Sequence, residues 1–267
     1  QTVIVGSDQV WNEKVAGDDG FFWPYETKPD HLFSYAASFG SASISSKRRD
    51  CLLRNLPFFE AISVREESGK KMLEKLGFQS RIDVDPTLLL SSVDWEKMEK
   101  PFPGLSPSSF VFCYLMPGNP SLEKFLRNET IRLAKEKGKT PVIIGNREID
   151  KSKRRKEDYW GVGPAEFLWL VRNADCTLTN SFHGTVFSIL FEKDFCVCVQ
   201  NRSDPNNPNY PDRIIDLCKT FDLSCNIVDT ASPSPTTALA FRHKDVSNEL
   251  GRLAKDSLSY LSRICDD

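Results

Sequence analysis

Short apolar runs alternate along this chain with longer amphipathic stretches, and that alternation is typical of parallel β-α units. The apolar runs predict strands at Thr2–Val5, Leu32–Ala36, Ala61–Val64, Arg81–Val84, Phe110–Leu115, Pro141–Ile144, Cys176–Thr179 and Phe195–Val199. The amphipathic stretches predict helices at Ser45–Asn55, Glu66–Leu76, Ser121–Lys137, Gly163–Arg172, Thr185–Glu192, Arg213–Phe221 and Asp245–Arg263. The pattern therefore predicts an α/β protein.

Proline and glycine divide this pattern into two parts. The prolines and the glycine in Pro101–Ser109 (PFPGLSPSS) exclude a regular helix or strand there. This segment is therefore the best linker candidate. We therefore predict an N-terminal domain over 1–103 and a second domain over 104–243, both doubly wound and Rossmann-like and facing each other across a cleft. The last helix, within 244–267, is expected to pack back on the N-terminal domain. Because the chain opens inside an apolar strand, we expect that domain to lack its first elements.

Composition narrows the class of protein. The chain has 267 residues, of which 40% are hydrophobic and 27% charged, with a formal net charge of -2. A general nucleic-acid binder shows a strong basic excess, so no nucleic-acid partner is expected, and the basic run Lys151–Lys156 is interpreted as a solvated loop. No apolar run approaches the ~18–20 residues that cross a bilayer. The 8 cysteines are scattered, several within apolar segments, which favours reduced core cysteines in a cytoplasmic protein.

The stretch Asp175–Phe191 (DCTLTNSFHGTVFSILF) carries the most chemistry. It predicts a buried strand, a polar turn holding His183 and Gly184, and a helix that opens near Thr185. Free N–H groups in the first turn of a helix favour an anion, so the imidazole and these amides together predict an anion site. The alternative is that Thr179, Asn180 and Ser181 only cap the helix while His183 packs on the surface.

Polar residues also follow other predicted strands, at the edge where open parallel sheets bind ligands. Asp8 follows the first strand and Arg65 follows the third. A guanidinium there can contact a carboxylate or a phosphate through two hydrogen bonds, although Arg65 can instead pair with Glu66 or Glu67 on the surface. Arg202 and Arg213 are candidates for a basic role or for loop solubility. Zinc-type His/Cys spacing, a Walker loop and a G-x-G-x-x-G fingerprint are absent from the sequence, so no metal or dinucleotide is expected.

Taken together, these segments resemble the polysaccharide pyruvyl transferase family, in order and over most of the chain. The resemblance is carried by Gly6–Asn12 (GSDQVWN), Tyr35–Gly40 (YAASFG), Ser63–Gly69 (SVREESG), Val84–Leu90 (VDPTLLL) and Thr179–Thr185 (TNSFHGT). It implies a fold similar to two-domain GT-B glycosyltransferases, with the acceptor on the N-terminal side and the donor on the C-terminal side. It also implies transfer of pyruvyl from phosphoenolpyruvate onto a sugar of a surface polysaccharide or its lipid-linked precursor, usually as a ketal. Phosphoenolpyruvate is then the donor substrate, and no cofactor is expected.

The resemblance also implies roles for single residues. Arg65 matches the family's donor-binding arginine and His183 its essential histidine, which acts as acid or as donor to the phosphate. Several members have an arginine just before that histidine, where this chain has Phe182, and Arg202 is the candidate for the missing charge. The helix start at Gly184 and Thr185 is expected to help bind the donor.

For the acceptor, the expected base is Asp8, and the expected contacts are Ser7, Gln9 and Trp11, with Phe22, Trp23 and Tyr25 as further aromatics for a sugar ring. Each aromatic can equally be buried in the core.

Two other functions fit the sequence. The first is a transferase of the same fold that uses a nucleotide-sugar donor. A non-catalytic glycan-binding protein is the other, favoured by Phe182 and by Asn180, where an acidic residue is common in the family. The interpretation as a pyruvyl transferase places the protein in the cytoplasm, with association to the inner face of the membrane through a lipid-linked oligosaccharide acceptor.

Overall fold

The computed structural model describes residues 1–17, 29–145, 156–203, 211–230 and 239–266. Three aromatics expected near a sugar, Phe22, Trp23 and Tyr25, lie outside the described residues. So does the basic run Lys151–Lys156, apart from its last residue.

Strands and helices alternate through the described chain. The strands are β1 (Thr2–Val5), β2 (His31–Ser34), β3 (Ser63–Val64), β4 (Arg81–Ile82), β5 (Phe110–Leu115), β6 (Thr140–Gly145), β7 (Cys176–Thr179), β8 (Phe195–Val199) and β9 (Ile227–Asp229). The helices are α1 (Glu13–Ala16), α2 (Ser46–Asn55), α3 (Glu67–Lys75), α4 (Ser92–Glu96), α5 (Pro120–Glu136), α6 (Pro164–Asn173), α7 (Phe182–Leu190), α8 (Asp212–Thr220) and α9 (Ser247–Asp266). Every pairing between these strands is parallel, so the predicted α/β class is confirmed.

The first compact unit comprises residues 1–90, 201–216 and 247–267. In it β1 pairs with β2 and β3 pairs with β4, and single bridges from Phe33 to Ala61 and from Ala37 to Val64 join the two pairs. The core beneath them is formed by apolar side chains from β1, β3, α2, α3 and the loop after β2. Its most buried members are Trp11, Ala37, Leu52, Val64 and Leu73.

Helix α9 belongs to this first unit although it lies at the far end of the sequence. Tyr260 and Ile264 are buried against Phe33 and Tyr35. The Tyr260 hydroxyl donates to the backbone oxygen of Ser34 at 2.9 Å. This burial and hydrogen bond fix the helix to the strand that precedes the loop of Tyr35.

The second unit comprises residues 91–200 and 217–246 and holds one parallel sheet in the order β6-β5-β7-β8-β9. Its central strands are buried on both faces, as their continuous apolar sequences predict. The strand order reverses between β5 and β7, and in a doubly wound sheet the carboxyl ends at such a reversal flank the ligand crevice. Residues after β5 and β7 therefore occupy the favoured position for a site.

The division between the units falls at 90/91, whereas the sequence predicted it at 103/104. Residues 91–103 belong to the second unit because helix α4 and the turn after it are tied there. The Trp95 ring meets Phe187 edge-on at 5.1 Å between centroids, and Arg172 Nε donates to Glu99 Oε2 at 2.8 Å. Pro and Gly correctly marked a segment without regular structure, but they did not mark the boundary.

Two further properties bear on the sequence expectations. The eight cysteines are free, and all but Cys225 and Cys265 are buried. Within the described ranges, no helix is long and apolar enough to span a membrane.

Candidate functional site

Arg65 is the centre of a charged cluster in the first unit. It follows β3 directly, and its side chain is only 4% exposed. Nη1 donates to Asp85 Oδ2 at 2.5 Å, Nε to Glu66 Oε1 at 3.2 Å and Nη2 to Asp8 Oδ1 at 3.2 Å. Burial opposes the charge of the guanidinium, but these three carboxylates outweigh it and raise the pKa of Arg65. Arg65 is thus a fixed cation.

Asp8 is the exposed member of this cluster. Its side chain is 56% exposed, whereas those of Glu66 and Asp85 are 2% exposed. Asp8 lies in the turn after β1 with a φ of 58°, and its backbone oxygen accepts hydrogen bonds from Val10 and Ser38. The backbone thus fixes the turn, while the carboxylate is open to solvent on one side and held by Arg65 on the other.

Glu66 pairs with Arg65, as one interpretation of the sequence predicted, but the pair is buried and not on the surface. Its Oε1 accepts from Arg65 Nε and from the Ser38 hydroxyl, while its Oε2 has no hydrogen-bond partner among the described residues. Burial raises the pKa of Glu66 to about 6, against the lowering effect of Arg65 and Ser38. The group therefore changes its charge near neutral pH.

Arg213 joins the same cluster from a distant part of the sequence. Its Nη1 lies 4.0 Å from Asp8 Oδ1, and its side chain is 24% exposed. Burial lowers the pKa of Arg213, and the nearby charge of Arg65 lowers it further. The sequence placed Arg213 at the start of a predicted helix and offered it for a basic role or for loop solubility. The polar N-terminus of the helix Asp212–Thr220 was the available indication, but nothing in the sequence placed it beside Arg65.

The acceptor residues expected on the first turn fall into two groups. Ser7 and Gln9 are partly exposed beside Asp8, and the Gln9 side-chain oxygen accepts from Asn12. Trp11 is fully buried, 5.3 Å from the Phe39 ring and 5.9 Å from the Phe59 ring between centroids. Trp11 is therefore a core residue, and the expectation that its ring contacts a sugar is wrong. Its indole ring is stabilised by packing against Phe39 and Phe59, away from water.

In the second unit, helix α7 begins three residues earlier than predicted. Ser181 is the N-cap, in extended conformation, and its side-chain oxygen accepts from the backbone N–H of Gly184 at 3.3 Å. The helix was predicted to open near Thr185, after a polar turn that holds His183 and Gly184, since polar residues and glycine prefer turns. The Ser181 cap outweighs that preference, and His183 therefore lies within the first helical turn.

This earlier start changes the roles expected of Gly184 and Thr185. The Gly184 N–H is used by the cap, and both the N–H and the hydroxyl of Thr185 donate to the Ser181 backbone oxygen at 3.1 and 2.9 Å. Both residues are fully or nearly fully buried. The expectation that they present donors to a ligand is corrected, because the helix itself occupies those donors.

Asn180 hydrogen-bonds to the backbone just after the neighbouring strand, β5. Its Oδ1 accepts from the Met116 N–H at 2.7 Å, and its Nδ2 donates to the Met116 oxygen at 2.9 Å. This two-point contact joins the residues after β5 and β7, at the reversal of the strand order. Asn180 thus fixes the shape of that edge of the sheet.

His183 follows Asn180 at this edge and is partly exposed. The ring of Phe182 is buried and meets the imidazole edge-on at 5.4 Å between centroids. His183 therefore does not simply lie on the surface. Its imidazole packs against Phe182 and is only partly exposed to solvent. The predicted approach of His183 to Arg65 stays a prediction, since these residues belong to different units.

Arg202 lies after β8, is half-buried, and belongs with the first unit. The loop that follows it, 204–210, lies outside the described residues. Across the described chain, no group of three or more His, Cys, Asp or Glu side chains is arranged to hold a metal ion.

Comparison with known proteins relates this chain to a protein family and to several solved structures. The family model described as polysaccharide pyruvyl transferase matches residues 1–203. The chain is similar to a UDP-GlcNAc 2-epimerase from Methanocaldococcus jannaschii, at 14% identity and a TM-score of 0.47, covering 97% of this chain and 75% of that one. It is also similar to a UDP-N-acetylglucosamine 2-epimerase from Rickettsia bellii, at 12% identity and a TM-score of 0.42, covering 90% and 75%. No curated protein matches the chain.

Proposed function

The chain belongs to the polysaccharide pyruvyl transferase family, and on that basis we propose that it transfers a pyruvyl group from phosphoenolpyruvate to a sugar. The family match, which includes both Arg65 and His183, is the observation that carries the proposal. The acceptor is a sugar of a cell-surface polysaccharide or of its lipid-linked precursor. The protein then acts in the cytoplasm and meets the inner face of the membrane through a lipid-linked acceptor.

The chemistry of the transfer defines the groups that it needs. A proton is added to C3 of phosphoenolpyruvate, a sugar hydroxyl oxygen bonds to C2, and the C2–O bond to phosphate breaks. A second sugar hydroxyl then bonds to C2 and closes the ketal. The two hydroxyls lose two protons, of which one balances the proton taken up at C3 and the other leaves with phosphate or solvent. No step in this scheme needs a metal or a cofactor.

The charged cluster of the first unit supports the donor and base roles. Arg65 is a cation of fixed position, and such a group stabilises a phosphate or carboxylate without reorganising during the reaction. Asp8 is an exposed carboxylate on a hydrogen-bonded turn, suited to accept the proton of a sugar hydroxyl. Ser7 and Gln9 flank it and are proposed to contact the sugar.

His183 supports the acid role. An imidazole titrates near neutral pH, so it can carry a proton to C3 or hold one on the departing phosphate. Its place after β7, at the reversal of the strand order, is where doubly wound sheets bind ligands. Arg202 is proposed to add positive charge for the donor, since Phe182 is buried where several family members have an arginine.

A donor comparison tests this function. The full chain is incubated with phosphoenolpyruvate and a panel of p-nitrophenyl glycosides, and phosphate release and the mass of the glycoside are followed. Parallel reactions contain UDP-glucose or GDP-mannose instead. We expect phosphate release that depends on a glycoside, together with a pyruvylated product. Transfer of a sugar from either nucleotide indicates the rival transferase, and glycoside binding without any turnover indicates the binding-only protein.

His183 is tested against a matched histidine in the same unit. General acid–base help is typically worth about 10²–10⁴-fold, so His183→Ala should lower turnover by that order. His243 is exposed and its Nδ1 lies 2.8 Å from Asp194 Oδ1, so His243→Ala should leave turnover unchanged. Wild-type turnover in His183→Ala contradicts the assigned role.

A further inference from the structure

The start of helix α8 is fastened to helix α3 by two carboxylates. The Ser68 hydroxyl donates to Asp212 Oδ2 at 2.6 Å, and the Glu67 N–H donates to Asp216 Oδ2 at 3.2 Å. Carboxylates are stabilised at a helix N-terminus, where unpaired N–H groups and the helix dipole favour negative charge. Arg213 lies between these anchors in the sequence, so the anchors hold its backbone in place.

The guanidiniums of Arg213 and Arg65 both lie close to one carboxylate oxygen of Asp8. Asp8 Oδ1 lies 3.2 Å from Arg65 Nη2 and 4.0 Å from Arg213 Nη1. The other nitrogens of Arg65 face inward, toward the buried carboxylates of Glu66 and Asp85. Asp8 is thus the carboxylate at the solvent-facing side of the arginine pair.

We propose that Arg65 and Arg213 form one oxyanion site, which the Asp8 carboxylate occupies until the phosphate or carboxylate of the donor replaces it. This inference rests on the proposed function. Guanidiniums bind such groups through paired hydrogen bonds, and two of them bracket a phosphate better than one. The displaced Asp8 carboxylate then lies in solvent, where it can accept the proton of the acceptor hydroxyl.

The charges around the site favour this exchange. The carboxylates of Glu66, Asp85 and Asp212 are buried and remain near the pair. Adding an anionic donor while Asp8 stays in place brings further negative charge against these groups. Asp8 is more than half exposed, so its side chain can turn into water, where the buried carboxylates cannot.

Equilibrium binding of inorganic phosphate and of phosphoenolpyruvate tests the site without relying on turnover. Calorimetry on the full chain compares the wild type with Arg213→Gln, Arg213→Lys and Asp8→Asn. Arg252, an exposed arginine paired with Glu249 on α9 of the same unit, supplies the control Arg252→Gln. Loss of one charged hydrogen-bond donor should weaken binding about tenfold to a hundredfold in Arg213→Gln, and Arg213→Lys should recover part of it. Asp8→Asn should bind both anions more tightly, and Arg252→Gln should match the wild type.

The outcomes separate this inference from the proposed function. Wild-type affinity in Arg213→Gln, weaker binding in Asp8→Asn, or a wild-type protein that binds neither anion overturns the oxyanion site. If the proposed function is wrong, no acceptor gives phosphate release from phosphoenolpyruvate. The differences in phosphate affinity among the variants nevertheless persist. Thermal melting of each variant confirms that it is folded before binding is compared.

Discussion

Gly184 is the position where the structure makes the sharpest prediction. It lies in the first turn of α7, directly after His183, and is buried against β7. A Cβ added there would lie 2.5 Å from Thr179 Oγ1, 3.1 Å from Thr179 Cβ and 3.2 Å from Tyr114 Cδ1. Real Cβ atoms do not approach other atoms as closely as the first of these distances, so the substitution Gly184→Ala must move something.

The neighbouring oxygen cannot move without loss. Thr179 Oγ1 donates to the Tyr114 backbone oxygen at 2.7 Å and accepts from the Ser181 N–H at 3.0 Å. Overpacking a core costs about 1–3 kcal/mol, and each net hydrogen bond lost adds about 1 kcal/mol. Replacing glycine by alanine in a helix returns about 1 kcal/mol. The balance is a loss of about 2 kcal/mol in the free energy of unfolding.

Gly251 provides the matched control. It also lies within a helix, α9, but a Cβ there meets nothing within 4 Å. Gly251→Ala should therefore gain about 1 kcal/mol from helix propensity alone. Urea unfolding followed by circular dichroism measures both variants, and we expect their free energies of unfolding to shift in opposite directions.

A double-mutant cycle identifies the contact. Thr179→Ala removes the crowded oxygen, so it should cost less in the Gly184→Ala background than in the wild type. A Gly184→Ala protein as stable as Gly251→Ala would show that the site tolerates the added methyl group, and strictly additive effects of the two substitutions would show that Thr179 is not the residue it meets.

Two further predictions concern the first unit. Because the pKa of Glu66 is raised to about 6 from 4.5, its contribution to stability is fully present below pH 4.5 and is lost as the pH rises through 6. Glu66→Gln should therefore be more stable than the wild type by about 2 kcal/mol at pH 8, a difference that disappears at pH 4; a pH-independent difference in urea unfolding contradicts the assignment. Tyr260→Phe removes the hydrogen bond to the Ser34 oxygen and should cost about 1 kcal/mol in the same assay, whereas no loss would mean that the bond contributes nothing net.

The sequence predicted the strands well, because buried parallel strands are continuous apolar runs. Thr2–Val5, Phe110–Leu115, Cys176–Thr179 and Phe195–Val199 have the same bounds in prediction and structure. It missed the short strand Ile227–Asp229, which carries too few residues to show a pattern.

The N-terminal capping of helices was harder to predict from the sequence than the buried strands were. The start of α7 was placed too late because the polar residues before it were assigned to a turn. The sequence offered Ser181 as one of three alternative caps, and its hydrogen bond to the Gly184 N–H identifies it as the N-cap. That error led to wrong roles for Gly184 and Thr185.

Long-range convergence was the least accessible part of the site. Asp8 and Arg65 were found because each follows a predicted strand, and strand ends meet at one edge of a sheet. Arg213 lies 148 positions after Arg65 in the sequence, and its partners depend on how α8 docks on α3. The sequence named Glu66 only as a surface partner of Arg65, and it could not show the burial that raises the pKa of this carboxyl.

The way helix α9 completes the first unit has a consequence for biosynthesis. A ribosome makes residues 1–90 before Tyr260 and Ile264, so Phe33 and Tyr35 stay without their covering until helix α9 has also been made. Domains usually fold in the order of their synthesis. Here strands β1 and β2 are made before the helix that covers them, so the first unit cannot complete its core until the sheet of the second unit has also been synthesised.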